Sequence, residues 1–563
     1  MARARGKKKE AKKTDVSALP VLSVPAWGRG TVIALLILVG VSATFNFTAI
    51  NWGQPAGYSW NPDSVAGART VRQLQYIFKP WTQKYPRFHF LILKIFYQPF
   101  IDHWEKNPVT GFDRQGRQVS TLFNTERFST LVIVSRTISA LMGVGAVVGL
   151  FFTARLFFGD WISAFFSGLA LACSMLFVLY SHLANMDVPC AFWFAWSVYW
   201  AVKAVYIGKW RHFVLLGLFS ALTVCTKDPA AGFVIGLGLA VWLAMIGVAK
   251  DAGQSFKRGL TCIFRLKVLA AVLVAGFVFA LLNDLLTSPS AFFERMDFWF
   301  KVGAAGYNIG FSDHWTFLKR NFMSIYYSLG WPLLAAILVS AVYCIIRFRW
   351  KSAFGIVPVV VFYIVVIARV RLNIPRYYIP GYVCFMLLVG KGFAELLRWK
   401  KLPLAVRILP IAAVYLLSGL YCIGIDLEMI NDSRYRAEKW LKTQVTPADT
   451  VIAMSQQAYA PRVQMLGCRS NFITARPKDE KLLQQIRPFA TYLVLPEKEF
   501  GMSSAFAPQF LDRLLAGSYG YEEVERFSNK YLYPKKTVFG LAGWPVPRSK
   551  LVSPEIIILR RKD

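Results

Sequence analysis

Two carboxylates and a small set of cations stand out from an apolar chain. Asp63 lies in WNPDS (60–64) and Asp187 in YSHLANMDVP (180–189), while ARVRLNIPRYYIP (368–380) gathers Arg369, Arg371 and Arg376. Arginine presents a planar fork that pairs phosphate oxygens two at a time, so this loop is a candidate phosphate clamp. Lys84 and the pair Lys227 and Asp228 are further charged candidates. His182 and Asn185 share the short loop of Asp187 and could bind a metal or a hydroxyl with it. A plainer role for Asp187 is to complement the positive end of a helix that Pro189 helps to start. An aspartate is costly in mid-membrane, about 2.5 to 3.5 kcal/mol on insertion scales, so its position matters.

The elements that must position these residues are set by hydropathy. The 563 residues are 55% hydrophobic and 15% aromatic with a mean hydropathy of +0.42, which excludes an ordinary soluble enzyme. Apolar windows fall near 31–50, 131–153, 161–180, 190–206, 212–226, 230–249, 268–285, 322–346, 352–368, 377–396 and 408–425. They predict an α-helical polytopic membrane protein of about eleven transmembrane helices. The net charge of +34 sits mostly in short clusters between those runs, so it reads as a topological signal and excludes nucleic acid as a partner. With the basic tail 1–30 in the cytosol, every second connection is basic, and the opposite face receives the segment 51–130. That face also receives the loop of Asp187, Lys227 and Asp228, the segment 286–321 and the arginine loop. Asp187 is therefore expected at the outer surface, and all the chemical candidates on one side of the membrane.

Within 51–130, KPWTQKYPRFHFLILKIFYQPFI is basic and aromatic, then apolar for too few residues to span, as in a helix lying in the interface. A shelf of this kind, two carboxylates and several cations describe a site for an anionic lipid whose head group reacts there. From about Asn431 the chain becomes mixed, with DTVIAM, ATYLVL, YEEVERF and EIIILRR strand-like and SRYRAEKWLKTQV, KDEKLLQQI and FLDRLLAGS helical. This predicts a small α/β domain over 431–563 on the outer face, after a membrane domain over 31–430. Seven of the eight cysteines lie in or beside apolar segments, so no disulfide framework is expected.

Four stretches together resemble the GT-C superfamily of polytopic glycosyltransferases, nearest the protein O-mannosyltransferase and lipid A aminoarabinose transferase branch. They are WNPDS in the first outer loop, KYPRF (84–88) beside the membrane, SHLANMDVP (181–189), and RYYIP (376–380) opening a late span. The resemblance implies an inverting transfer of a sugar from a polyprenyl phosphate to a hydroxyl of a protein, glycan or lipid. It makes Asp63 the general base, and Lys84 with Arg369, Arg371 or Arg376 the holders of the lipid phosphate. It has Asp187 orient sugar or acceptor, with His182, Asn185, Lys227, Asp228 and Tyr377 in support. A divalent metal stays open, because the family's frequent Asp-Glu pair is here Asp63 followed by Ser64. The membrane implied is the plasma (inner) membrane, or the endoplasmic reticulum in a eukaryote. A transporter or lipid flippase and a non-catalytic subunit are the alternatives. No internal repeat favours the former, and Ser64 favours the latter.

Overall fold

The structure is a computed structural model that describes residues 26–66, 85–112, 118–121, 123–251, 253, 255–298, 301, 313–370, 374–473, 480–496, 508–529 and 551–562. Each apolar window of the sequence lies in a helix or a helix pair. They are α1 (Arg29–Phe47), α3 (Thr125–Phe158), α4 and α5 (Trp161–Ala172, Met175–Ser181), α6 (Asp187–Tyr206) and α7 (Trp210–Thr226). Next come α8 (Ala231–Asp251), α9 (Leu266–Leu282), α11 (His314–Phe348), α12 (Ala353–Phe362, prolonged to Val370), α13 (Ile379–Arg398) and α14 (Leu404–Ile430). Two further helices, α2 (Phe88–Lys106) and α10 (Pro289–Asp297), lie in the connections. Among the described residues eight helical runs are long and apolar enough to cross a membrane, or nine if the pair α4 and α5, bent by 64°, is one crossing. The apolar helices α7 and α9, at 17 residues, are shorter than that test requires.

Leu269, Val272, Leu273 and Phe277 of α9 are all more than 45% exposed, a surface suited to lipid. Inside the bundle small residues let backbones approach: a Cβ at Gly390 of α13 would collide with Ser167 and the Ser163 carbonyl of α4. In α11, Gly330 takes φ 73°, which breaks the helix two residues before Pro332. On α2, Phe90, Leu93, Tyr97, Ile101 and Trp104 pack against Leu131 and Ile138, while Ile95 and Phe96 stay exposed.

After α14 the chain turns at Asp432 into α15 (Ser433–Gln444) and a five-stranded sheet. After the separate hairpin β1 (Val109–Phe112) and β2 (Gln118–Thr121), its strands are β3 (Thr450–Ala453), β4 (Arg469–Phe472), β5 (Tyr492–Pro496), β6 (Tyr521–Phe527) and β7 (Ile556–Arg561). The order is β4-β3-β5-β7-β6, with β4, β3 and β5 parallel and β7 antiparallel to both neighbours. Alternation puts Ile452, Leu493 and Leu559 against the helices α16 (Glu480–Ile486) and α17 (Pro508–Leu515), and Val451, Val494 and Ile558 against α15. The four strand-like runs of the sequence coincide with β3, β5, β6 and β7. The edge strand β4 reads RSNF, too polar and short to announce itself.

The C-terminal domain grips the loop after α1 through the Gly53 amide on the Tyr435 hydroxyl, Arg462 on the Pro55 carbonyl, and one buried ion pair. Asp432 Oδ2 accepts from Trp52 Nε1 at 3.0 Å and from the Ser553 amide at 2.8 Å, and Arg434 donates to it at 2.7 Å. The Arg434 guanidinium lies 3.8 Å from the Trp60 ring centroid and donates to the Ala458 and Leu551 carbonyls. From the membrane side, Arg136 of α3 donates to the carbonyls of Ile50 and Trp52. The loop that leads to Asp63 is thus held from both sides.

Candidate active site

Four connections converge at one end of the bundle. The first is a turn at 61–64, closed by the Ser64 amide on the Asn61 carbonyl at 3.1 Å, while Asn61 Oδ1 accepts from the Asp63 amide at 3.1 Å. The second, 182–186, is tied to it by the Val65 amide donating to the Ala184 carbonyl at 2.8 Å. The third is the break at Lys227, where α7 ends in extended backbone and Pro229 starts a short 3-10 turn. The fourth is the 3-10 turn Pro375–Tyr378, again started by proline, which aims Arg376 inward before α13 begins.

Their side chains meet on one guanidinium. Arg376 Nη1 donates to Asp63 Oδ2 at 2.6 Å, and its Nε stands 4.0 Å from Asp187 Oδ2. Tyr180 also hydrogen-bonds to Arg376. Asp187 Oδ1 takes Lys227, and Asp187 Oδ2 accepts from Asn185 Nδ2 at 2.7 Å. Lys227 Nζ rests 4.1 Å from the centroid of the Tyr377 ring. Burial pulls the pKa of Lys227 down, and Asp187 works against that shift. The Asp187 side chain is 4% exposed and that of Asp63 34%, so only Asp63 keeps ready access to solvent.

A second cluster flanks the first. Arg87 pairs with Asp284 at 2.9 Å, and Arg295 of α10 reaches Asn283 at 2.6 Å and Asp228 at 3.5 Å. Burial lowers the pKa of Arg87, Asp284 raises it, and Arg295 adds a lowering repulsion, which shows that the two arginines feel one another. Two arginines in one cluster suit anionic groups, here supplied by two aspartates.

The structure therefore brings together Asp63, Asp187, Asn185, Lys227, Arg376 and Tyr377. Other expectations fare differently. Asp187 is buried within the protein, at 3% exposure, because Lys227 and Asn185 satisfy its carboxylate there. As the plainer reading expected, Asp187 opens α6 as an acid in its first turn with Pro189 two residues on, although the N-cap, Met186, makes no side-chain bond. His182 turns away: Nδ1 meets the Val178 carbonyl at 2.8 Å and Nε2 lies 3.5 Å from Asp426, so it joins no ligand set with Asp187. Asp228 belongs to the second cluster. Arg369 ends the helical run before the loop, is exposed, and joins none of these ion pairs among the described residues. Lys84 and Arg371 lie outside the described residues. No three His, Cys, Asp or Glu side chains converge as metal ligands among the described residues, and between Asp63 and Asp187 stands the Arg376 guanidinium. Sequence reasoning missed Tyr180, Arg87, Asp284 and Arg295. The three charged ones lie in or next to the connections 51–130 and 286–321, where nothing marks one charge from another.

A multi-pass helical membrane protein with a buried ionic cluster where its connections converge is the class that fold and site define. Residues 122–275 match the family model described as dolichyl-phosphate-mannose-protein mannosyltransferase. Over that segment the resemblance to GT-C glycosyltransferases is thereby borne out. No curated protein sequence matches the chain. Among solved structures, ArnT from Cupriavidus metallidurans bound to undecaprenyl phosphate is 14% identical, with a TM-score of 0.45 over 93% of this chain and 97% of that one. The Archaeoglobus fulgidus oligosaccharyltransferase AglB, in complex with an inhibitory peptide and a dolichol-phosphate, is 13% identical, with a TM-score of 0.44 over 90% and 74%. The family match carries the resemblance; these structural likenesses are too distant to add to it.

Proposed function

We propose that this chain is a membrane glycosyltransferase that moves a sugar from a polyprenyl phosphate to a hydroxyl acceptor, with inversion at the anomeric carbon. The observation that carries the reading is the junction of Asp63, Arg376, Asp187 and Lys227, built from four connections far apart in sequence. The family match supplies the donor class, since its description names a dolichyl-phosphate sugar. A phosphate is already a good leaving group, so the protein has to position it, neutralise its charge and activate the nucleophile.

Charge balance suggests how. The four cations Lys227, Arg376, Arg87 and Arg295 face the four carboxylates Asp63, Asp187, Asp228 and Asp284. An arriving phosphate can claim a cation only by displacing a carboxylate, and Asp63, the most exposed of the four, is the one water can best receive. Displacement frees Asp63 to take the acceptor's hydroxyl proton. The acceptor oxygen then attacks the anomeric carbon, the bond from that carbon to the phosphate oxygen breaks, and the phosphate departs with the electron pair onto Arg376 and its neighbours. Asp187 holds Lys227 and Arg376 in place.

The finer topology belongs to the same proposal: eleven crossings, counting the α4–α5 pair, α7 and α9, with residues 1–30 in the cytosol and 431–563 as an outer domain. Lys84 and Arg371 would add to the donor's phosphate contacts. The test is purification in nanodiscs, mass spectrometry of copurifying lipids, and turnover of a labelled polyprenyl-phosphate sugar. The expected result is a lipid-linked sugar that the protein consumes, with turnover falling about 10²- to 10⁴-fold in Asp63→Asn. Consumption of no lipid-linked sugar, or an Asp63→Asn variant as fast as wild type, refutes the reading.

A further inference from the structure

Between the loop at 57–64 and the turn at 455–458, which follows β3, lies a cleft of about 490 Å³, within the size range of ligand pockets, ~300–1,000 Å³. Pro62 and Ser64, the two neighbours of Asp63, both line it. Its chemistry differs sharply from that of the ionic junction beside it. None of the described residues lining it carries a formal charge. Gln456 and Gln457 are exposed and present amides, while Tyr58 and Phe472 set two rings edge to face with centroids 5.7 Å apart. Asn61 is the link between cleft and junction. Its Oδ1 is committed to the Asp63 amide, and its Nδ2, in a residue only 3% exposed, has no hydrogen-bond partner among the described residues.

Each of these features points to one chemistry. Amide side chains offer a donor and an acceptor side by side, the arrangement that neighbouring sugar hydroxyls require. Aromatic rings offer flat apolar faces to the C–H side of a pyranose. A phosphorylated lipid head group would find no cation in the cleft, and a charged peptide would find no opposite charge. Asp63 itself turns its carboxylate away to Arg376, so whatever fills the cleft lies beside the reacting hydroxyl and not on it.

We infer that this cleft is an acceptor subsite for a neutral glycan, holding sugar units adjacent to the one whose hydroxyl reacts at Asp63. The inference rests on the transferase reading for the word acceptor, and on the cleft alone for the word glycan. It is tested on the full chain in nanodiscs without donor, by saturation-transfer NMR against short neutral oligosaccharides of glucose, mannose, galactose and N-acetylglucosamine. An uncharged peptide rich in serine and threonine, of similar length, is the competitor. Wild type and Asp63→Asn should bind at least one oligosaccharide alike. The double variant Gln456→Ala with Gln457→Ala, altered only at exposed positions, should bind it at least about tenfold more weakly, the loss expected for two hydrogen-bonding groups. Binding of no oligosaccharide, undiminished binding by the double variant, or binding of the peptide in its place overturns the inference. If the oligosaccharide binds as expected but no polyprenyl-phosphate sugar is consumed, the cleft stands as a glycan site and the transferase reading fails.

Discussion

Removing Arg376 and removing Lys227 should damage the protein in opposite ways. Arg376→Gln deletes the charge that joins Asp63 and Asp187. Unit charges about 4 Å apart interact with roughly 4 kcal/mol at an effective dielectric of 20. Asp63 is one third exposed, so water screens and then replaces the lost partner, and Asp187 keeps Lys227 and Asn185. The stability loss should therefore be only about 1–2 kcal/mol. Lys227→Met strips the principal cation from a carboxylate that is 4% exposed, leaving Arg376 at 4.0 Å and one amide. Breaking a buried pair in that way costs about 3 kcal/mol or more. Turnover should rank the other way once corrected for folded protein: a drop of about 10²- to 10³-fold is expected for Arg376→Gln, as for loss of a group that stabilises a departing charge. Thermal unfolding in detergent reads the first ranking, and consumption of a labelled polyprenyl-phosphate sugar the second. Should Arg376→Gln unfold as readily as Lys227→Met, while its folded fraction turns over near the wild-type rate, the junction is a structural clasp and the displacement of Asp63 by phosphate is wrong.

Three further outcomes follow from neighbouring contacts. Asp432→Asn weakens a pair whose side chains are both 0% exposed and which grips Trp52, so a loss of about 3 kcal/mol in unfolding measurements is expected; stability equal to wild type would show that the sheet does not brace the Asp63 loop. Tyr180→Phe removes a hydrogen bond to Arg376, and turnover should fall about tenfold with a stability change near 1 kcal/mol, checked by the same two assays. Burial pushes the pKa of His89 down to about 4 from near 6.5, so on acidification the unfolded chain takes up a proton that the folded chain refuses. Stability attributable to His89 is full above pH 6.5 and falls as pH drops toward 4, by about 2 kcal/mol at pH 5; unfolding scans from pH 7 to 5 should show a shallower decline in His89→Leu.

The helices were legible because lipid demands long apolar runs, and four of the five C-terminal strands because alternation with β-branched residues is a local signal. Pairing was not legible, since Asp63 and Arg376 are 313 residues apart and no local rule connects them. The arginine loop shows where local reading stops. Arg369 and Arg376 look alike as outer-face cations, yet Arg369 ends a helix and is exposed, whereas Pro375 opens a 3-10 turn that buries Arg376. Proline before the charge was the readable difference; at the Lys227 break the proline, Pro229, instead follows the charges. Asp426 was obscured for another reason: it stands one residue beyond the last apolar window, so a hydropathy reading leaves it outside the membrane while α14 carries it into contact distance of His182. Burial of so many charges at one end of an apolar bundle would be untenable for any one of them alone. Because each cation there is matched by a carboxylate among the described residues, the resting cluster is close to neutral, and under the proposed transfer a phosphate enters it by displacing its most exposed acid, Asp63.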